Sequence, residues 1–330
     1  MARMICGVDI SKAKFDVALR VQEKVRCACF NNTVEGFEAF HHWLKKETDK
    51  DVWVCMEATG GYEKALAEFC FIQGYSVSVI NPACIRAYGQ SKLKRHKTDG
   101  MDAQLIAEYG AKESPHLWVM ETPEQETLRS YYRCLQELKE EKQTVENRLD
   151  KPTHNTEVTV EVREDLIASY KKHIANIEAK IMEFIQENET LRQQHDLMCS
   201  IPGIGHTTAA GLLAELPPLS SFHNARQLAA FVGVTPRHKT SGSSVRGRPR
   251  LSKMGSSTVR KMLYFPAIVA KKHNPLLHNF TSSLAEKSKP PMVMIGACMR
   301  KLLHIIFGVL KSGKPFDKNI IKENNIAKTA

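Results

Sequence analysis

Four acidic residues in the first third of the chain could hold a metal ion. Asp9 lies in the apolar run MICGVDI, and Glu57 ends the run VWVCME. A carboxylate inside a buried strand is costly unless it is paired or binds a cation. Asp99 and Asp102 lie three residues apart in KTDGMDAQLIAEY, a spacing that puts them on one face of a helix. Because Mg²⁺ takes oxygen ligands, the sequence predicts a metal-dependent phosphoryl-transfer site at these four acids.

Each acid also has an ordinary structural interpretation. Asp99 and Asp102 could open a helix as its N-cap and third helical residue. Glu57 precedes Thr59-Gly60-Gly61 and could begin a strand-to-helix turn. These alternatives account less well for two acids that interrupt segments with the pattern of buried strands.

A Gly- and Ser-rich segment offers a candidate nucleophile. Ser241-Gly242-Ser243-Ser244 precedes Arg246, Arg248 and Arg250, with Lys253 close behind. A serine hydroxyl is a poor nucleophile unless a base, a metal or a positive field stabilises its alkoxide. Guanidinium groups hold phosphate, so we expect these four basic residues to bind nucleic acid. The same tract could be a flexible linker, and composition does not choose among its three serines.

The charge distribution indicates a polyanionic partner. The formal net charge is +11 and the isoelectric point is near 9.2. No acidic residue occurs between Glu215 and Glu286, an interval rich in Lys and Arg. A solvated surface normally mixes both signs, so this interval favours contact with a phosphate backbone. A basic surface without a ligand is the alternative.

Other features argue against several classes of protein. The nine cysteines are scattered without a CxxC pair, which indicates reduced thiols in a cytoplasm rather than a disulfide framework or structural zinc. No stretch reaches the length of a membrane span, and the N-terminus lacks the apolar core of a signal peptide. We therefore expect a cytoplasmic protein that does not associate with a membrane. No GxxxxGK[ST] loop is present, which argues against a reaction driven by ATP or GTP.

The elements that must position the acids lie in a predicted α/β domain over residues 1–120. Its strand-like runs are ICGVDI, FDVALRV, VRCACFNN, DVWVCMEA and YSVSVINP, with helical patterns at about 34–46, 62–73 and 99–110. Three hairpin-like strands followed by alternating helix and strand is the order of a ribonuclease-H-like sheet. Asp9 would then lie on the central strand.

A helical hairpin is predicted over residues 121–194. Apolar residues recur three and four apart from 128 to 149, stop near 151–156, and resume from 167 to 184. This spacing indicates an antiparallel coiled coil, either folded on itself or shared between protomers. The pattern does not separate a spacer from a dimerisation element.

A mostly α-helical C-terminal domain is predicted over residues 195–330. It opens with CSIPGIGHTTAAGLL, in which a Pro-Gly-Ile-Gly turn leads into a helix, as in a helix-hairpin-helix element. Such a turn presents backbone N–H groups to phosphate, although similar turns also join helices that bind nothing. The basic segment that follows favours DNA contact. The SGSS tract is expected to lie in a loop.

The chain resembles the IS110 insertion-sequence transposases, the DEDD serine recombinases, in an ordered set of motifs: GVDISKAKFDV, CMEATGGYE, SVINPA, KTDGMDA, SIPGIG, ARQLAAFVGVTPR, SGSSVRG and LSKMG. The resemblance covers nearly the whole chain and implies a RuvC-like domain, a coiled coil and a C-terminal transposase domain. It implies that Asp9, Glu57, Asp99 and Asp102 form the DEDD set that binds one or two Mg²⁺ ions. Ser241 would be the nucleophile that forms a 5′-phosphoserine link to DNA.

The resemblance also implies partners. These are double-stranded donor and target DNA, a bridge RNA that pairs with both, and further copies of the chain in a dimer of dimers, a tetramer in which the acids of one protomer work with the serine of another. Three other functions remain open. The chain could be a site-specific DNA invertase of the same family, or a RuvC-type nuclease or resolvase that uses water. It could also be a nucleic-acid-binding protein without catalysis, which the presence of all four acids disfavours.

Overall fold

The structure is a computed structural model that describes residues 4–21, 24–49, 51–92, 99–151, 155–241 and 245–319. The side chains of residues 21, 99–101 and 238–249 lie outside this description. The chain divides into two compact units, Met1–Met120 and Glu121–Ala330. The helical hairpin predicted as a separate domain over residues 121–194 falls within the second unit.

The first unit contains a five-stranded mixed sheet. Its strands are β1 (Met4–Ile10), β2 (Lys14–Val21), β3 (Lys24–Asn31), β4 (Val52–Glu57) and β5 (Ser76–Ile80). The order is β3-β2-β1-β4-β5, so β1 is the central strand, as the sequence predicted. Strands β1 to β3 pair antiparallel, whereas β4 pairs parallel with both β1 and β5.

Helices cover both faces of this sheet. They are α1 (Val34–Glu47), α2 (Lys64–Ile72), α3 (Pro82–Ser91) and α4 (Asp99–Glu113). On one face α1 and α2 bury an aromatic cluster that includes Phe15, Phe37 and Phe40. On the other face α4 packs against β1, β2 and β4. Helix α3 was not predicted from the sequence. Its N-cap is Asn81, whose side chain accepts from the Ala83 N–H at 2.8 Å.

The second unit begins with two long helices, α5 (Pro123–Leu149) and α6 (Glu157–Glu187). The rings of Tyr131 and Phe184 lie 5.7 Å apart, and the Lys139 ammonium donates to Glu178 at 2.7 Å. Near the other end, Arg163 bonds to the carbonyl of Arg148 at 3.5 Å. Residue numbers therefore fall along one helix as they rise along the other. The two predicted helices therefore form an antiparallel hairpin folded on itself.

The remaining elements make this unit mostly helical, which confirms the predicted class. Their bounds are α7 (Glu189–Cys199), α8 (His206–Glu215), α9 (Ala225–Val232), β6 (Pro236–Ser241), β7 (Val245–Leu251), α10 (Ser257–Met262), α11 (Tyr264–His273), α12 (Pro275–Glu286) and α13 (Pro291–Ser312). The prediction of a loop around the SGSS tract was wrong at its edges, because β6 and β7 pair as an antiparallel hairpin. Backbone pairing needs no apolar alternation, so a basic, polar hairpin has no strand pattern in its sequence.

Helix α13 contradicts the prediction that no segment reaches the length of a membrane span. It is long and apolar enough to cross a membrane by composition, although the sequence reading found no such stretch. Half of its most apolar window is buried inside the second unit, and Leu302, Leu303 and Ile306 are fully buried there. The apolar composition of α13 is accounted for by the protein core.

Candidate active site and nucleic-acid interface

Asp9 and Glu57 lie side by side at the carboxyl ends of two neighbouring strands. The parallel register pairs Val8 of β1 with Met56 of β4, and the two acids are the next residues on each strand. Facing residues of paired strands point to the same side of a sheet. Both acids are half-buried, whereas Val8 and Met56, which directly precede them, are buried.

Helix α4 lies on the face of the sheet that these two acids share. A Cβ at Gly7 would stand 2.1 Å from the carbonyl oxygen of Ala103, and one at Gly110 would stand 2.6 Å from Cys55 Sγ. Only glycine permits so close an approach of helix and strand. Because side chains alternate along a strand, Gly7 and Asp9 are on the same face, the one that α4 covers.

The direction of α4 brings its acids toward the same end of the sheet. Gly110 packs near Ile5, and Ala103 packs on Gly7, so the N-terminal turn of the helix extends toward Asp9. Asp102 lies in that turn and is half-buried. Asp99 is the first residue of α4, and its side chain lies outside the described residues.

Asp16 is a fourth described acid on this face, and the sequence reading missed it. It pairs directly with Asp9 across β1 and β2, and its carboxylate lies 3.4 Å from the Lys14 ammonium. Two carboxylates directly opposite each other repel, and a cation between them relieves the repulsion. The signal was available in the sequence, because the alternation of FDVALRV puts Asp16 on the face opposite to Phe15.

In the turn after β4, the Glu63 side chain accepts from two backbone N–H groups. The backbone N–H groups of Thr59 and Gly61 both donate to Glu63 Oε2, at 2.9 and 3.0 Å. Glu63 therefore caps this turn. The Asn32 side chain donates to the carbonyls of Ser11 at 3.1 Å and of Tyr62 at 3.3 Å, which ties the turn after β1 to the turn after β4.

Ser241 belongs to the second unit, where it is the last residue of β6. Its backbone pairs with Val245 at the start of β7. Gly242, Ser243 and Ser244, which come between these two residues in the sequence, lie outside the described residues. The side chains of Ser241, Arg246 and Arg248 also lie outside the description. The acids and the serine are thus on different units of the chain.

Arg250 and Lys253 line a basic pocket at the base of this hairpin. The pocket has a volume of about 540 Å³ and is lined by Val234, Pro236, Arg250, Leu251, Lys253, Phe280, Met292, Val293, Gly296, Ala297, Arg300, Lys301 and His304. Its floor is apolar, and its charged groups are all cationic. Such a site suits a phosphate or a nucleotide, which carry negative charge.

Two buried polar atoms in this pocket have no hydrogen-bond partner among the described residues, Arg300 Nε and His304 Nε2. Burial lowers the pKa of His304 from its usual value, and the charges of Arg300, Lys301 and Arg226 lower it further. The His304 side chain is therefore neutral at pH 7. A bound phosphate in this pocket would offset the crowding of positive charge.

The predicted helix-hairpin-helix turn joins α7 to α8. Gly203 has φ +106°, and a Cβ there would stand 2.5 Å from the Cβ of Ala270. Gly205 is the N-cap of α8 and makes no side-chain capping bond. The first N–H groups of α8 therefore have no side-chain cap, as phosphate binding at this turn requires.

Comparison with known protein families gives two matches. A transposase family model of the DEDD IS110 type matches residues 6–152, which include all four predicted acids. A second model, described as Transposase IS116/IS110/IS902 family, matches residues 195–282, which include Ser241 and the basic hairpin.

Individual relatives extend over most of the chain. The pilin gene-inverting protein of Moraxella bovis is 31% identical over 326 residues, which are 97% of this chain and 99% of that protein. The protein of the same name from Moraxella lacunata is equally similar. The transposase for insertion sequence element IS1111A of Coxiella burnetii is 24% identical over 305 residues, which are 82% of this chain and 78% of that protein.

Proposed function

The chain belongs to the IS116/IS110/IS902 family of transposases, and from this membership we propose that it cuts and rejoins DNA strands at its four predicted acids with a serine nucleophile. The observation that carries the proposal is the placement of Asp9, Glu57 and Asp102 on one face at one end of the sheet. These residues come from three different elements, as an assembled site requires.

The donor set fits Mg²⁺. Asp9, Glu57, Asp102 and the adjacent Asp16 offer only carboxylate oxygens, which are the ligands of a hard divalent cation. When bound, one or two Mg²⁺ ions would stabilise the negative charge on the oxygens of the reacting phosphate. The strand order β3-β2-β1-β4-β5, with an acid at the end of its central strand, supports a RuvC-like fold for this unit.

Ser241 carries the covalent step of the proposed reaction. Its Oγ attacks phosphorus and loses its proton to solvent. The bond from phosphorus to the 3′-oxygen breaks, and that oxygen takes up a proton to leave as a free 3′-hydroxyl. The resulting 5′-phosphoserine is attacked by the 3′-hydroxyl of a new DNA partner, which restores the serine. No nucleotide cofactor is needed, because the phosphoserine diester conserves the energy of the broken bond.

Ser241→Ala tests this function directly. We expect the variant to form no covalent protein–DNA adduct on a supercoiled substrate with Mg²⁺, because no other group attacks phosphorus. Ser283→Ala, which changes an exposed serine on α12, serves as the matched control and should form adducts as the parent does. Adducts that persist in Ser241→Ala would remove Ser241 from this role. Free 5′-phosphate ends without any adduct would instead indicate a nuclease or resolvase.

DNA inversion is a second candidate function. The 31% identity to two pilin gene-inverting proteins spans nearly the whole chain and exceeds the 24% identity to the IS1111A transposase. Two plasmids distinguish an invertase from a transposase. One carries the element's ends in inverted orientation, and the other carries an intact element. Reoriented segments in the first plasmid indicate an invertase, and circular excised elements from the second indicate a transposase.

We further propose DNA and a bridge RNA as partners, and a dimer of dimers as the assembly that acts in the cytoplasm. The net charge of +11 and the cationic pocket at Arg250 and Lys253 support a nucleic-acid partner of either kind. An apolar stripe on α6 supports association, because Val158, Val162 and Leu166 are 68%, 53% and 44% exposed. These residues recur four apart and lie on one side of the hairpin tip.

A further inference from the structure

Three potential metal ligands meet where α7 ends and α8 begins. His195 and Cys199 are one turn apart on α7, and His206 is the first residue of α8. Cys199 Sγ lies 3.5 Å from His206 Nδ1 and 3.8 Å from His195 Nε2. One ligand atom from each residue lies within 4.8 Å of the other two.

These separations fit a tetrahedral ion. Zinc bonds of about 2.3 Å to sulfur and about 2.0–2.1 Å to nitrogen put the sulfur and a nitrogen about 3.5 Å apart at the tetrahedral angle. A thiol hydrogen bond is the simpler explanation for one contact. A single S–H donates to one ring nitrogen at a time, however, and Cys199 Sγ lies close to both rings. The rings of His195 and His206 also stack, with their centroids 5.2 Å apart.

The surroundings of His195 fit a metal ligand. Its side chain is 1% exposed, and its Nδ1 lies 3.4 Å from Asp196 Oδ1. A carboxylate on one ring nitrogen leaves the other free for a metal and orients the ring, as is usual for histidines that bind zinc. A buried imidazole otherwise needs two hydrogen-bond partners to offset its desolvation.

An ion could also reach this cluster. A pocket of about 270 Å³ is lined in part by His206, Tyr132 and Glu178, and His206 itself is exposed. Ligand identity, separation, a supporting carboxylate and a path of entry are the features that mark a real metal site. The donors are a thiolate and two imidazoles, a set that favours zinc and similar ions over Mg²⁺.

We propose that His195, Cys199 and His206 bind one ion of the zinc class, with water in the fourth position. Binding releases the thiol proton of Cys199 to solvent and joins α7 to α8 across the Pro202–Gly205 turn. The ion thereby fixes the turn that presents the N-terminus of α8. This site is separate from the acids of the first unit, and it does not depend on the recombinase chemistry.

Cobalt is the probe for this site, because a thiolate bound to Co²⁺ absorbs in the near ultraviolet whereas the free ion does not. The full chain, purified without a polyhistidine tag and stripped with chelator, should bind one equivalent of Co²⁺ with that absorption. One equivalent of Zn²⁺ should abolish it. Absence of the band, or a band that Zn²⁺ leaves unchanged, would overturn the proposal.

Variants assign the ligands. Cys199→Ser should remove the thiolate band, and His206→Asn should weaken Co²⁺ binding at least about tenfold, which is the least that loss of a supporting group costs. His206 is exposed, so its variant tests the site even if Cys199→Ser fails to fold. Cys134→Ser and His173→Asn change an exposed cysteine and an exposed histidine outside the cluster and should bind as the parent does. A band that survives Cys199→Ser with unchanged intensity would show that another thiol binds the ion.

Discussion

At the scale of single residues, the proposed active site depends on carboxylates at facing and neighbouring positions of adjacent strands. Asp9 and Asp16 face each other across an antiparallel pair, and Glu57 lies beside Asp9 on the next strand. Such crowding is unfavourable without cations, and the Lys14 ammonium lies 3.4 Å from the Asp16 carboxylate. A metal ion would relieve it at the place where a phosphate must also bind.

The variant Asp102→Asn tests whether Asp102 acts in catalysis rather than in DNA binding. We expect the cleavage rate to fall by roughly 100-fold or more, because an amide does not hold the cation that stabilises the transition state. DNA affinity should stay the same or rise slightly, since a negative charge is lost. Rates of adduct formation and a binding titration measure the two quantities.

Asp165→Asn is the control for that prediction, because Asp165 is an exposed acid on α6 outside the proposed site. It should leave both quantities unchanged. Cleavage by Asp102→Asn at the parental rate would contradict the assignment of Asp102 as a metal ligand.

At the scale of elements, the site depends on how closely α4 approaches β1. Glycine at position 7 brings the backbone of Ala103 onto the sheet, and this contact sets how far the N-terminal turn of α4 extends toward Asp9. The acids are therefore positioned by backbone packing as much as by their own contacts. A change at Gly7 should affect both stability and activity.

Gly7→Ala tests that dependence. A Cβ placed 2.1 Å from the Ala103 carbonyl oxygen must push the helix and strand apart. We expect the free energy of unfolding of the first unit to fall by about 1–3 kcal/mol or more, which is the usual cost of overpacking. Urea unfolding followed by circular dichroism measures it.

Gly308→Ala is the matched control, because nothing lies within 4 Å of the position that its Cβ would take on α13. It should be neutral or stabilising by up to about 1 kcal/mol, since alanine is the better helix former. Equal stabilities for Gly7→Ala and the parent would show that α4 is not held as closely as the structure places it.

At the scale of the whole molecule, positive charge is concentrated in the second unit. The acid-free interval from residue 216 to 285 contains the β6–β7 hairpin and part of the cationic pocket, whereas the proposed catalytic acids belong to the first unit. The proposed phosphate contacts are thus assigned to the second unit, whereas the proposed metal ligands belong to the first. Affinity for nucleic acid should then respond to the basic residues of the second unit, and cleavage to the acids of the first unit together with Ser241.

The salt dependence of DNA binding tests this division. Each phosphate that a protein neutralises contributes about −0.9 to the slope of log affinity against log salt. Arg250→Gln and Lys253→Gln should each make the slope less steep by about one and weaken binding equally for all sequences. Fluorescence anisotropy at several salt concentrations gives the slopes.

Lys180→Gln is the control for the salt series, because the Lys180 ammonium pairs with Glu183 at 2.6 Å on the exposed side of α6. Its slope should match that of the parent. Unchanged slopes for both pocket variants would exclude this pocket as a phosphate contact.

The sequence by itself determined the class of the fold and the acids that are candidate metal ligands. Apolar alternation predicted all five strands of the sheet, and the spacing of apolar residues predicted α5 and α6, because periodicity depends only on which face is buried. Asp9 and Glu57 were found because each interrupts an apolar strand.

Only the tertiary structure decided which groups come together. The pairing of Asp16 with Asp9, the capping role of Glu63 and the meeting of His195, Cys199 and His206 depend on strand register, turn geometry and helix contacts. The β6–β7 hairpin was also hidden, because its pairing uses backbone atoms that every residue type supplies. Local patterns report which face of an element is buried, and they do not report which other element covers it.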